Sequence, residues 1–183
     1  MTQDDWELGR RDTLPEALRA LVDHCPRATW DAHPRFPGLA AFWLDKHLGF
    51  RRLSDLLIRD LRAHLDGRLA PEGLAARVSR TGGMLIGGLH DHHGIEDHHY
   101  FPAMLGLEPG MARGFDLLDR DHHALDPWLA RLTEEANALI RAPDREAAGR
   151  LLGSLDAFAP FLARHLEDEE DLVVPVILRH AMG

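Results

Sequence analysis

Residues 92–102 read HHGIEDHHYFP, and residues 165–175 read HLEDEEDLVVP. Both put a glutamate four residues after a histidine and a proline six residues further on: His92, Glu96 and Pro102, then His165, Glu169 and Pro175. Residues four apart stand one turn apart on one face of an α-helix, close enough to bind the same metal or neighbouring metals. Two copies in one chain predict a two-metal site, each half supplied by a similar hairpin.

Outside these stretches the chain also reads as helical. β-Branched residues are few and no period-2 run of useful length occurs. Thr13 and Glu16 have capping-box spacing, with Pro15 early in the first turn, which predicts a short helix to about residue 24. A Pro-rich connector (25–37) follows. Four long helices are then expected, from about 37 to 67, 71 to 102, 111 to 141 and 145 to 180, separated by Gly and Pro punctuation, with a kink in the last at Pro160.

Each long helix carries a seam with steps of three and four. The first reads Phe36, Ala40, Trp43, His47, Phe50, Ser54, Leu57, Leu61. In the second, Leu85 and Leu89 lead into His92 and Glu96. The third reads Phe115, Leu118, His122, Leu125, Leu129, Leu132, Ala136, Leu139, and the fourth Leu151, Leu155, Phe158, Leu162, His165, Glu169, Leu172, Val176. Sustained seams with short loops predict an all-α fold, an up-down-up-down antiparallel four-helix bundle over residues 36–183, with residues 1–35 as an N-terminal extension. In such a bundle, residues at one level are equidistant from the turn between their helices. The midpoint from His47 to the His92/Glu96 pair falls at residues 70–71, from that pair to His122 at 108, and from His122 to the His165/Glu169 pair at 144–145. All three coincide with expected turns, so the six polar seam residues should meet at one level.

Composition narrows the class. A chain of 183 residues with 45% hydrophobic and 28% charged residues suits one globular domain. Cys25 is the only cysteine, which excludes an internal disulfide or thiolate cluster and fits a reducing, cytoplasmic location. The opening MTQDDWELGRRD is unlike a signal peptide, and no apolar run approaches the roughly 20 residues of a membrane span. A net charge of −9 argues against nucleic acid. Histidine is the outlier: nine of thirteen lie between His90 and His180, interleaved with carboxylates rather than in a tag-like block.

Burying His47, His92, His122 and His165 with Glu96 and Glu169 costs several kcal/mol per unpaired charge, about the scale that metal cations offset. The competing reading is a set of separately satisfied core histidines and acids, which six such residues at one level disfavour. Mixed N/O ligation suits Fe, Mn, Zn or Co. The two glutamates are placed to bridge two metals and the four histidines to act as terminal ligands. Six protein ligands leave coordination positions open, implying reactivity or reversible binding.

The order His47, His92-x-x-x-Glu96 with Phe101-Pro102, Asp121-His122, and His165-x-x-x-Glu169 with Pro175 resembles the hemerythrin-like (HHE cation-binding) domain over about residues 36–180. The resemblance implies two iron ions in an oxo- or hydroxo-bridged non-haem centre, with oxygen binding, small-gas sensing, redox or iron handling as roles. Oxygen-carrying hemerythrins have two histidines one turn apart on the third helix; this chain has His122 and Asp126 there. Harder ligation favours the ferric state and counts against reversible oxygen carriage.

Of the other histidines, His90, His93, His98 and His123 fall off the seam and read as surface or outer hydrogen-bonding groups. His99 lies one heptad beyond His92, where it would line the mouth or add a donor. His24, His33, His64 and His180 read as exposed, as do the acids Glu167, Asp168, Glu170 and Asp171. Asp126 reads as a surface acid, with ligation as the alternative. The pairs Gly82-Gly83 and Gly87-Gly88 suggest close packing rather than an access path. Trp6, Trp30 and the short helix should cap an open side of the bundle or form a homodimer contact.

The expected function is a di-iron protein that binds or reacts with dioxygen, peroxide or nitric oxide. No nucleophile or organic-substrate pocket is visible, so peroxide or ferroxidase chemistry would be a by-product rather than a dedicated enzymatic activity. The alternative is a storage or regulatory module holding Zn or Mn without oxygen chemistry. A metal-free scaffold is the third reading.

Overall fold

The computed structural model describes residues 6–180. Among them every regular element is helical. A short α1 (Glu16–Val22) precedes α2 (Ala41–Leu65), α3 (Pro71–Arg77), α4 (Gly83–Ile95), α5 (Phe101–Leu107), α6 (Ala112–Arg141) and α7 (Arg145–Arg179). No helix is long and apolar enough to cross a membrane.

The expected second helix is present as α3, α4 and α5, joined through two wide π-type turns, Val78–Gly82 and Glu96–Tyr100. A π-turn inserts an extra residue into the 3.6-residue repeat and rotates everything after it. The heptad count that placed His99 on the seam therefore fails: His99 is exposed, and the buried set after Glu96 is Phe101 and Met104. The first long helix starts four residues later than expected, because Pro37 and Gly38 have non-helical backbone. The Thr13/Glu16 capping box does not form; Pro15 occupies the cap position of α1 without a side-chain bond. α7 continues through Pro160 as one helix, and its start is capped by Asp144, whose Oδ1 accepts from the Ala147 N–H at 2.7 Å. Gly67, at φ 76°, makes the left-handed turn after α2, a conformation that glycine adopts without strain. His64, expected to be exposed, is buried beside that turn with Nδ1 2.9 Å from the Leu69 carbonyl oxygen.

The described residues fall into two compact units. The first comprises, of the described residues, 6–48, 94–123 and 163–180. Its core joins Leu14, Leu18 and Trp30 of the N-terminal segment to Trp43, Phe101, Phe115, Leu118, Val173 and Ile177. The N-terminal segment thus covers the C-terminal half of α7, which is buried on nearly every face from Leu172 to Leu178. A helix apolar all round needs such a cover.

The second unit comprises Gly49–His93 and Ala124–Leu162. Leu57, Leu61, Leu85, Leu132, Leu155 and Phe158 are among its buried residues, at the seam positions read from sequence. Gly88 lies where a Cβ would come within 3.0 Å of the Phe50 ring, so one glycine of its pair serves close packing; Gly83 and Gly87 have open space instead. Phe158 is fully buried. Its replacement by alanine should lower the unfolding free energy by about 3–5 kcal/mol, measured by chemical denaturation of the Phe158→Ala variant.

Candidate metal centre

Five of the six expected ligands lie in the first unit. His47 comes from α2, Glu96 from the π-turn after α4, His122 from α6, and His165 and Glu169 from successive turns of α7. His47, Glu96, His165 and Glu169 are completely buried, and His122 nearly so. His47, Glu96 and Glu169 offer donor atoms within 4.8 Å of one another, and so do His122 and His165. His92 belongs to the second unit, is half-buried, and stands four positions before Glu96 in the sequence.

Glu169 is the hinge of the arrangement. Its Oε1 lies 3.1 Å from His47 Nε2 and its Oε2 lies 3.4 Å from His165 Nε2, so one carboxylate faces two imidazoles with its two oxygens. The Trp43 indole N–H donates to Oε1 and fixes its orientation. Glu96 Oε2 lies 3.5 Å from His122 Nε2.

The other nitrogen of each histidine faces a second carboxylate. His47 Nδ1 is 3.0 Å from Glu170, His122 Nδ1 2.8 Å from Asp97, and His165 Nδ1 3.4 Å from Asp121. A ring N–H held outward in this way fixes the tautomer that presents Nε2 as a lone pair, the usual arrangement behind a metal-ligating histidine. Aromatic rings wall the site: Phe101 stacks on His122 with centroids 5.7 Å apart, and Tyr100 meets Trp43 edge-on at 4.9 Å.

Burial dominates the electrostatics of the cluster. Burial, reinforced by the neighbouring Glu169 carboxylate, pushes Glu96 well above the usual carboxylate range. Burial also opposes protonation of His47, but Glu169 and Glu170 outweigh it and raise the group to about 9. Burial pulls His165 down despite Asp121. Two buried carboxylates and at least three imidazoles form a donor set of the kind that iron, manganese or zinc accepts.

Several surroundings were misread from sequence. Asp168 and Glu170, expected on a solvated acidic face, are buried, because Arg11 and Arg27 of the N-terminal segment pair with them. His93, expected off the seam, is buried. Steps of three and four from Leu89 reach either His92 or His93, so spacing alone did not decide between them. Asp121 was legible only as part of the Asp121-His122 pair. His90, His98 and His123 are exposed as expected, and so is Asp126. His180 is half-buried rather than exposed, bonded to Glu108 at 2.8 Å.

A buried cluster of imidazoles and carboxylates carried by four helical segments defines a candidate metal-cation site. Comparison with family models agrees: the hemerythrin HHE cation-binding domain matches residues 39–177, and the chain belongs to that family. Comparisons with curated proteins and with solved structures return no significant match.

The raised His47 yields a pH prediction for protein stripped of metal. A histidine at about 6.5 when unfolded and about 9 when folded adds stability that is fully present below pH 6.5. That contribution disappears as pH rises through 9. Thermal unfolding of chelator-treated protein should therefore show Tm falling between pH 6.5 and 9, and His47→Gln should flatten that fall.

Proposed function

We propose that this chain is a non-haem di-iron protein whose metal pair binds or reacts with a small ligand: dioxygen, peroxide or nitric oxide. The observation that carries the reading is Glu169, whose two oxygens face His47 and His165 separately. A carboxylate so placed could be shared between two ions, one beside each histidine. Glu96 is the second bridge. His47, His92, His122 and His165 are the proposed terminal ligands.

The assembly proposed for this site is an up-down-up-down four-helix bundle from residue 36 onward, with residues 1–35 as an extension. Two iron ions would supply open coordination positions and one-electron redox steps. The protein's own contribution is to orient and to exclude water. Trp43 holds Glu169, Glu170, Asp97 and Asp121 hold the imidazoles, and Phe101 and Phe115 stack at 5.3 Å beside His122 as an apolar wall. Peroxide or ferroxidase turnover is proposed as secondary to ligand binding. We place the protein in the cytoplasm, acting on a small ligand rather than on nucleic acid or membrane.

A second reading, a storage or regulatory module holding zinc or manganese, gains from one observation. Asp126 is exposed, so α6 contributes a single buried imidazole where an oxygen carrier has two. Elemental analysis and the absorption spectrum before and after dithionite and air separate the two. About two irons per chain, with charge-transfer bands that bleach on reduction, support the di-iron reading. Zinc or manganese retained after reconstitution with ferrous iron contradicts it. In the Glu169→Ala variant, iron content should fall by half or more, because both ions lose a shared ligand.

A further inference from the structure

Arg11 and Arg27 lie outside the region that the family model matches, which begins at residue 39. Both reach carboxylates that stand directly behind proposed metal ligands. Arg11 is buried, with only 2% of its side chain exposed. Its NH1 and NH2 both donate to Asp121, one to each carboxylate oxygen, and its Nε donates to Asp168 at 2.8 Å. Asp121 Oδ2 in turn faces His165 Nδ1. On the other side of the site, Arg27 NH1 donates to Glu170 Oε2 at 2.6 Å, while Glu170 Oε1 faces His47 Nδ1. Two relays of the same design result: arginine, carboxylate, histidine.

A bidentate guanidinium fixes a carboxylate in plane and position in a way that a lone hydrogen bond cannot. We propose that Arg11, with Arg27 in a lesser role, is a positioning residue for the metal centre. The N-terminal segment thereby locks His165 and His47 into the orientation that ligation requires. The inference rests on the di-iron reading above and deepens it. Packing supports a lock rather than an incidental contact. Leu14, Leu18 and Trp30, from the same segment, are buried in the core that contains Trp43 and Leu172. Arg11 also binds the Trp6 carbonyl oxygen at 3.1 Å, so it ties its own segment to the site.

Arg164 provides an internal control. It donates to Asp168 at 2.6 Å and shares that carboxylate with Arg11, but it pairs otherwise with Glu167 and the Asp12 carbonyl oxygen, and none of these three faces a proposed ligand. If Arg11 acted only by neutralising buried acid, loss of Arg164 should weaken the centre to a similar degree. If it acts through Asp121, Arg164 should matter little.

The test compares the wild type with Arg11→Gln, Arg11→Lys, Arg27→Gln, Arg164→Gln and Asp121→Asn, all as full-length chains. Iron stoichiometry and affinity are read by chelator competition, with far-ultraviolet circular dichroism as the check on folding. Outer partners of metal-binding histidines typically contribute about 10–100-fold in affinity. Arg11→Gln should therefore lose about tenfold or more and alter the iron absorption bands, matching Asp121→Asn. Arg11→Lys should recover part of the loss, since it restores charge without the fork. Arg27→Gln should lose less, because Arg27 is 40% exposed, and Arg164→Gln should bind iron as the wild type does. Wild-type affinity in folded Arg11→Gln, or equal losses in Arg11→Gln and Arg164→Gln, would overturn the proposal. If Arg11→Gln does not fold, Asp121→Asn and Arg11→Lys decide: wild-type binding in both overturns it. A wild-type chain that takes up no iron fails the di-iron reading itself, and this inference falls with it.

Discussion

Two carboxylates buried against one another are the constraint on which the rest of the first unit depends. Glu96 and Glu169 are wholly removed from solvent, and their repulsion adds to the cost of burial. The sequence maintains them with imidazoles on their inner sides and an indole N–H on Glu169. A packed apolar core of the same volume would be simpler to stabilise, so the retention of six polar seam positions signals a ligand. A bound cation converts the repulsion into shared attraction, which makes metal affinity and folding stability one linked quantity.

Around that centre charge alternates outward in shells. Carboxylates face the inner imidazoles, outer carboxylates face their far nitrogens, and arginines face two of those. Each layer limits the freedom of the one inside it, so the donors are set in place before a metal arrives. This order also explains why the end of α7 carries acids on several faces. His165 and Glu169 point to the centre, Asp168 points to Arg11, and Glu170 spans His47 and Arg27, the two arginines belonging to the N-terminal segment.

Much of this was legible in the sequence. The seams on α2, α6 and α7 are buried nearly residue for residue, because uninterrupted α-helices keep the 3.6-residue period. The second helical run departed from its reading after Glu96, where the π-turn shifts phase; neither spacing nor composition signals an extra backbone residue. Arg11 escaped notice because a lone arginine in a polar opening stretch has no period against which to be read. The burial of Asp168 and Glu170 had a sequence signal in Leu166, Val173, Val174, Ile177 and Leu178, which make the helix apolar on every side. Such a helix must be covered, and its acids must then be paired.

The central claim, that Glu169 bridges two metal ions held by histidines on either side, is tested most directly by anomalous diffraction at the iron edge from crystals of iron-loaded protein. The account predicts two anomalous peaks, one within ligand distance of His47 Nε2 and the other of His165 Nε2, with the Glu169 carboxylate between them. A single peak, no peak, or peaks only at surface carboxylates would contradict it.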